Sequence, residues 1–375
     1  MKDFLISELQ DNIPNLRELY ALLTEIQKTG NAISQSELTR IGSEASSAAS
    51  RYGKTTAEYL EAAREAASAG YGNAADIAEL SLAAQNAGGI TAELANQYIN
   101  ATDKAYQLSG SVSRLTQILD GANAISSHNA VGMADLAEGM SLAGEYAASL
   151  GLGADETAAS LAAIISATGQ NGSEAAGSLK AILSLTQQVK DEGQGIDGAG
   201  LAEYANSCRA LGVSLEETRD GITSLRDPMN VLRDLSEAYA SLTPGDARGA
   251  DLLASVGSAQ GAEALDALLG GYGTYEKMLQ DYADGAGTMA VQAEISANSW
   301  EGALNRLSNT WADTMGKLAV SGAATSAINS LDGILSAVNR LIDGLGPLGT
   351  AGLGAGLLAS FKNVGRDKTY SLFWS

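Results

Sequence analysis

Residues 75–95 read ADIAELSLAAQNAGGITAELA, and this pattern decides the fold. Small and apolar residues recur at the three- and four-residue spacing of an α-helix until Gly88 and Gly89, which favour a helix end. Thr91 then offers the side-chain oxygen that favours a new helix start. Residues 133–162, MADLAEGMSLAGEYAASLGLGADETAASLA, repeat the arrangement. The two stretches predict two copies of one helical hairpin.

Similar starts and stops punctuate the rest of the chain. Ser34 with Glu37, and Thr55 with Glu58, have the spacing of a capping box, in which each side chain binds the backbone N–H of the other residue. The chain has only 4 prolines but 43 glycines, a balance that suits short helices ended by glycine. We therefore predict an all-α fold of multiple short antiparallel helices, arranged as hairpins or a bundle.

One segment departs from this pattern. Residues 212–225, GVSLEETRDGITSL, place an Arg219-Asp220-Gly221 turn between two runs that tolerate β-structure. The prediction allows at most one small β-hairpin there.

Composition limits both the stability and the partners of the chain. Hydrophobic residues make up 45% of it and aromatic residues only 5%, so the core must consist mainly of Ala, Leu and Ile. Ala buries little surface, and burial contributes only about 25 cal/mol per Å², so stability must come from many small contacts or from a partner. The net charge of −21 argues against nucleic-acid binding by the folded body, since phosphate contacts need Lys and Arg.

No pattern of reactive residues points to catalysis. Cys208 and His128 are the single cysteine and the single histidine, and no nucleophile signature surrounds Cys208. One cysteine and one histidine do not make a zinc site without carboxylates. The glycines near residue 195 lack the Lys-Ser/Thr of a phosphate-binding loop. We expect no enzyme activity, no cofactor and no metal.

Residues 300–311 predict the most aromatic helix of the chain. Trp300 and Trp311 are eleven residues apart, which is about three helical turns, so they share one face. Leu304 and Leu307 lie between them on that face. We expect these four side chains to form the packing face of the helix.

Residues 344–361, GLGPLGTAGLGAGLLASF, are the strongest candidate for contact with a partner or a membrane. Small residues four apart let apolar helices approach closely in a bilayer, and basic residues follow the segment. The segment is shorter than the ~20 residues that a spanning helix needs. Membrane contact and soluble apolar packing both remain open, and the residues concerned are Gly352, Gly356, Leu357, Leu358 and Phe361.

These features divide the chain into four parts. An Ala-rich helical core covers residues 1–189, and a Gly-rich linker covers residues 190–200. A second helical sub-region, residues 201–320, ends in the Trp helix. An amphipathic helix and the Gly-rich apolar tail occupy residues 321–375.

The order of these pieces carries a family resemblance. ELYALLTEIQKTG (18–30) is followed by EYLEAAREAASAGYGNAADIAELSLAA (58–84), then by the stretch beginning at residue 133, and later by GAEALDALLGGYGTYEKML (261–279) and the Trp helix. Over roughly residues 10–320 this succession resembles the core region of a tape measure protein from a long, non-contractile-tailed bacteriophage or prophage.

The resemblance implies a structural function. Tape measure proteins are rulers on which tail tube subunits assemble, and their length sets the length of the tail. The implied partners are the tail tube (major tail) protein, tail assembly chaperones and distal tail or baseplate proteins, together with self-association. The implied location is the virion tail, after synthesis in the bacterial host cytoplasm.

Two further interpretations accompany this one. The chain is shorter than such rulers usually are, which suggests a truncated or prophage-derived copy. The alternative function is a self-associating helical module or secreted effector that inserts into membranes.

Overall fold

The computed structural model describes residues 18–19, 21–28, 33–187, 198–219 and 222–321. Within them the secondary structure consists of sixteen helices and one two-stranded antiparallel sheet, which confirms the predicted all-α fold with a small β-hairpin. Helical residues 18–19 and 21–28 form α1. The other elements are α2 (Gln35–Arg51), α3 (Thr56–Ser68), α4 (Ala74–Gly88), α5 (Ala92–Ala105), α6 (Val112–His128), α7 (Met133–Ser149), α8 (Ala154–Thr168), α9 (Gly172–Thr186), α10 (Gly198–Ala210), β1 (Glu216–Arg219), β2 (Ile222–Leu225), α11 (Pro228–Ala240), α12 (Ala247–Ala254), α13 (Ala259–Gly270), α14 (Tyr272–Ala283), α15 (Thr288–Ala297) and α16 (Trp300–Ser321).

The first helices form two rows. From α2 to α9, each helix contacts the next helix in the chain and also the helix two places further on. Alternate helices are therefore neighbours. Helices α2, α4, α6 and α8 form one row, which we call the middle row, and α3, α5, α7 and α9 form the outer row.

The last helices form a third row that runs back along the middle row. Helix α13 packs on α8 and α9, α14 on α6 and α8, α15 on α4 and α6, and α16 on α2. We call α13–α16 the returning row. Helices α10, α11 and α12 make the reversal at the far end, where α10 and α11 both contact α9. The predicted second sub-region thus folds back over the first.

Burial follows from the position of the middle row between the other two. In α8 every residue from Thr157 to Ile165 is buried, and α4 is buried along most of its length. A helix that is apolar on all sides belongs in an interior. The core runs without interruption from Ile26 in α1 to Met289 in α15.

The two similar sequence stretches occupy opposite positions in these rows. In the first, α4 lies in the middle row and α5 in the outer row, whereas in the second α7 lies in the outer row and α8 in the middle row. Each stretch does form a helix–turn–helix whose two helices touch. The likeness is local because glycine and capping residues fix the turn, while contacts with distant helices fix the row.

Capping residues act partly within one helix and partly between helices. Thr55 and Glu58 form the predicted capping box, with Glu58 N–H donating to Thr55 Oγ1 at 3.2 Å and Thr55 N–H donating to Glu58 Oε2 at 2.7 Å. Ser34 accepts from the Glu37 N–H at 3.1 Å. The Glu37 carboxylate instead accepts the N–H of Ala75 at 2.9 Å, at the start of α4.

Two glycines allow the returning row to approach closely. The ring of Tyr282 lies on Gly121, where an added Cβ would be 2.6 Å from the ring carbons. A Cβ at Gly53 would be 2.8 Å from the Cα of Ala297, and Gly53 also has a φ of +65°, a conformation that L side chains rarely adopt. A side chain at either position would push α14 or the α15–α16 turn away from the body.

The predicted division into four parts stays a prediction. Residues 198–200 of the predicted linker lie in α10, and residues 188–197 lie outside the described residues. The amphipathic helix and apolar tail predicted for residues 321–375 also lie outside them, apart from Ser321.

Candidate interaction surfaces

A buried carboxylate of the middle row holds the start of α15. Asp120 lies in α6 and is 4% exposed. Its carboxylate accepts the N–H of Gly287 at 2.8 Å and of Met289 at 3.0 Å, while its carbonyl oxygen accepts the Thr288 hydroxyl at 2.9 Å. The first N–H groups of a helix lack partners within it, and its N-terminus favours negative charge. Asp120 therefore joins the middle row to the returning row.

A buried amide of α16 holds the turn between α2 and α3. Asn309 is 2% exposed. Its Oδ1 accepts the Thr56 N–H at 2.8 Å and the Thr56 hydroxyl at 3.0 Å, and its Nδ2 donates to Lys54 O at 2.6 Å and Ser50 Oγ at 3.2 Å. All the polar atoms of this amide are bonded. Asn309 thus supplies a cap to α3 from a helix that comes 253 residues later.

The face of α16 that packs on α2 and the α2–α3 turn carries small and polar side chains, and we call it the docked face. Asn305 donates from Nδ2 to Gly53 O at 2.8 Å, and Gly302 is buried against Ala297. Gly302, Asn305 and Asn309 have the three- and four-residue spacing of one helix face. Since Asn309 reaches Ser50 and Asn305 reaches Gly53, α16 runs antiparallel to α2.

The predicted packing face of the Trp helix does not coincide with this docked face where the two can be compared. Leu304 is 43% exposed and Leu307 is half-buried. The side chains of Trp300 and Trp311 lie outside the described residues. A shared packing role for the four side chains therefore stays a prediction.

Cys208 and His128 belong to different parts of the fold. His128 ends α6, is exposed, and places Nδ1 3.4 Å from Asp281 Oδ1 of α14. Cys208 is fully buried in α10, which packs on α9 and α12, and burial raises the pKa of its thiol to about 12. A thiol with so high a pKa is a poor nucleophile at neutral pH.

Acidic residues around a surface cavity are already paired. The cavity, about 260 Å³, lies between α2, α4, α6 and α15, and Asp76, Glu79 and Asp120 line it. Asp76 pairs with Arg40 at 2.7 Å, Glu79 pairs with Arg51 at 2.7 Å, and Asp120 binds backbone N–H groups. Among the described residues, no group of three or more potential ligands is placed to hold a metal ion.

The β-hairpin projects from a fixed base. The side chains of β2 are all exposed, and they include the apolar residues Ile222 and Leu225. At the base, Arg226 forms an ion pair with Asp234 at 2.5 Å, and Gln187 Nε2 donates to Arg226 O at 2.9 Å. An isolated two-stranded sheet is only marginally stable in water, so this anchored base keeps the hairpin in place.

The returning row exposes a set of large apolar side chains. Val291 is 60% exposed and Ile295 is 67% exposed, and the four-residue spacing puts both on one face of α15. The opposite face of α15 buries Met289 and Ala293. We call Val291 and Ile295 the outer apolar face, and Leu304 of α16 is a further exposed apolar residue of the returning row.

The apolar tail lies outside the described residues. This applies to the whole of residues 344–361, and so to every candidate there: Gly352, Gly356, Leu357, Leu358 and Phe361. In the part of the chain that the structure describes, none of the helices is long and apolar enough to span a membrane.

Comparison with known families gives a match to the stretch of chain that forms most of the two rows and the reversal. The family model described as phage-related minor tail protein matches residues 44–270, from α2 to the end of α13, which is more than half of the 375 residues. No curated protein and no solved structure gave a significant match. The chain belongs to the phage-related minor tail protein family.

Proposed function

We propose that this chain is a tape measure protein, the ruler on which tail tube subunits assemble in a long, non-contractile phage tail. The match of residues 44–270 carries the proposal, since membership in that family supports a structural role in a phage tail. The order of sequence motifs over roughly residues 10–320 adds the finer identity. The helical body supports it too, because α-helices have a fixed rise of about 1.5 Å per residue.

A ruler made of this chain would have to open before it measured length. In the folded body the returning row lies along the middle row, so the chain covers the same distance more than once. The core is rich in Ala, which contributes little burial per residue. The buried side chains of Asp120 and Asn309, which we call the polar clamps, hold the returning row in place through hydrogen bonds to backbone groups of distant helices. We propose that the compact body is the form before assembly, and that the extended chain is the form inside the tube.

The proposed partners are those of a tail under assembly. They are the tail tube (major tail) protein, tail assembly chaperones and distal tail or baseplate proteins, and self-association belongs to the same proposal. The exposed β-hairpin and the outer apolar face are the surfaces available for such contacts. The proposed location is the virion tail, after synthesis in the host cytoplasm. Membrane contact through residues 344–361 remains a prediction, which flotation of the full chain with anionic vesicles would test.

Measurement of tail length tests the ruler directly. In-frame helical insertions of 40 and 80 residues between positions 188 and 197 should lengthen the tails by about 60 and 120 Å, at about 1.5 Å per residue. Electron microscopy of purified particles gives the length distribution, and synonymous recoding of the same positions is the matched control. Infectious particles that carry either insertion and keep the original tail length would refute the proposal.

A further inference from the structure

We propose that the outer edge of β2 is a self-association surface, which pairs with β2 of a second copy of this chain. The two-stranded sheets of the two copies then form one continuous antiparallel sheet, with Ser224 of each copy at the two-fold axis. This inference names the surface for the self-association that belongs to the proposed function, and it rests on that part of the proposed function alone.

The register of the hairpin fixes which backbone groups of β2 point outward. Arg226 N–H donates to Leu215 O at 2.9 Å, and these two residues lie opposite each other, one step beyond the pair of Glu216 and Leu225. Hydrogen-bonded and non-hydrogen-bonded pairs alternate along an antiparallel ladder. The N–H and C=O groups of Thr223 and Leu225 therefore point away from β1. No hydrogen bond within the described part of the chain engages them.

The other edge of the sheet is closed by a side chain. Glu216 points outward from β1 in the same way, but its N–H donates to Ser214 Oγ at 3.1 Å, and the Ser214 hydroxyl donates to Glu216 O at 2.8 Å. Glu216 and Glu217 also place two carboxylates on β1, and charged residues protect a sheet edge from pairing. Strand β2 reads ITSL and carries no charge. The hairpin thus has one protected edge and one edge that is open to pairing.

Exposure leaves the open edge accessible to a partner. All 4 residues of β2 are exposed, Ile222 at 72% and Leu225 at 38%, and the main contact of the strand is with β1. A sheet of two strands is only marginally stable in water, whereas three or more strands stabilise one another. Pairing at the open edge therefore stabilises the hairpin as well as the assembly.

A second copy fits this edge by charge and by hydrogen-bond pattern. The net charge of −21 makes many contacts between copies repulsive, but two β2 strands meet without like charges opposite each other. In the antiparallel register centred on Ser224, Thr223 of each copy lies opposite Leu225 of the other. Each of these two pairs exchanges two hydrogen bonds, so every outward N–H and C=O group of β2 gains a partner. Arg226, next to the strand, is already paired with Asp234.

Proline substitutions in the full chain test the open edge. Thr223→Pro removes an outward N–H, and proline is tolerated in edge strands where the N–H faces solvent. The variant loses half of the intermolecular hydrogen bonds, so association should weaken by about tenfold or more, measured by sedimentation velocity at increasing protein concentration.

The matched control is Thr218→Pro, at an outward position of the protected strand. Thr218 Oγ1 and Thr223 Oγ1 are 2.9 Å apart, so both variants lose the same contact between hydroxyl groups. Thr218→Pro should associate like the wild type. Circular dichroism should show that both variants keep the helix content of the wild type.

Disulfide trapping tests the register. In the register centred on Ser224, the two thiols of Ser224→Cys face each other in a non-hydrogen-bonded pair, with Cα atoms about 4.5 Å apart. That distance suits a disulfide bond. Oxidation with copper–phenanthroline should therefore link this variant into dimers faster than Thr218→Cys on the other edge. Cys208 is buried and its pKa is raised to about 12, so it should not compete.

Each of three results would overturn the proposal. The first is a wild-type chain that stays monomeric at every protein concentration, and the second is equal association of the two proline variants. The third is trapping of Ser224→Cys no faster than of Thr218→Cys. A monomeric chain whose insertions still lengthen the tail would reject this surface and leave the ruler intact. A chain that associates through β2 without setting tail length would do the reverse.

Discussion

The most informative substitution in this fold is Asn309→Ala. Asn309 is 2% exposed, and its amide makes four hydrogen bonds that join α16 to the α2–α3 turn. Truncation to Ala removes all four and leaves the Thr56 N–H and Lys54 O without this partner. The variant therefore tests whether polar clamps or apolar contacts hold the returning row.

The magnitude follows from the groups that are left unpaired. A buried donor or acceptor without a partner costs about 1–3 kcal/mol, and a typical hydrogen bond contributes about 1 kcal/mol net. Two backbone groups lose their partner inside the protein, while the Thr56 and Ser50 hydroxyls can rotate towards other acceptors. We expect the free energy of unfolding to fall by about 3 kcal/mol, a large effect for one substitution.

Urea unfolding with two probes measures this effect. Circular dichroism follows the whole body, and tryptophan fluorescence follows the C-terminal region, since the three tryptophans are Trp300, Trp311 and Trp374. The matched control is Ser308→Ala, an exposed neighbour on the same helix, which should stay within about 0.5 kcal/mol of wild type. If Asn309→Ala is no less stable than this control, the interpretation of Asn309 as a clamp is wrong.

Two further predictions concern the other clamp and the buried phenols. Asp120→Ala should lower the free energy of unfolding, measured by urea unfolding, by about 3 kcal/mol. Asp120→Asn should lower it by about half as much, because one acceptor oxygen remains. Equal stability of both variants and wild type would contradict this prediction. Burial raises the pKa of Tyr52 and Tyr106 to about 12, so the native state keeps protons that the unfolded state loses near pH 10. The stability that these two groups contribute should be complete below pH 10 and should be lost as the pH rises from 10 to 12. Tyrosinate absorbance at about 295 nm should therefore rise together with unfolding. A full rise in absorbance at pH 10, while the protein is still folded, would contradict this prediction.

The local features of the fold could be read from the sequence because they depend on neighbouring residues. The Thr55–Glu58 capping box forms as predicted, and Gly89 ends α4 with a φ of +61°. The hairpin of β1 and β2 lies within the predicted residues 212–225. In each case the interacting groups are a few residues apart, so one short stretch of chain determines them.

The clamps between rows gave no such signal. Asp120 and Asn309 read as ordinary polar residues of amphipathic helices, yet they bind backbone groups 167 and 253 residues away in the chain. Asn305 and Asn309, four residues apart beside Gly302, were the available hint of a small polar docking face. The predicted packing face of Trp300, Leu304, Leu307 and Trp311 stays a prediction, and of these side chains Leu304 is 43% exposed.

By itself the sequence determined a chain of short Ala-rich helices with one small hairpin, because helix periodicity, caps and glycine stops are properties of neighbouring residues. Only the tertiary structure decided which helix lies in which row and that the last helices return along the middle row. The physical reason is that Ala-rich faces resemble one another, so contacts between distant helices and a few buried polar groups must select the partner.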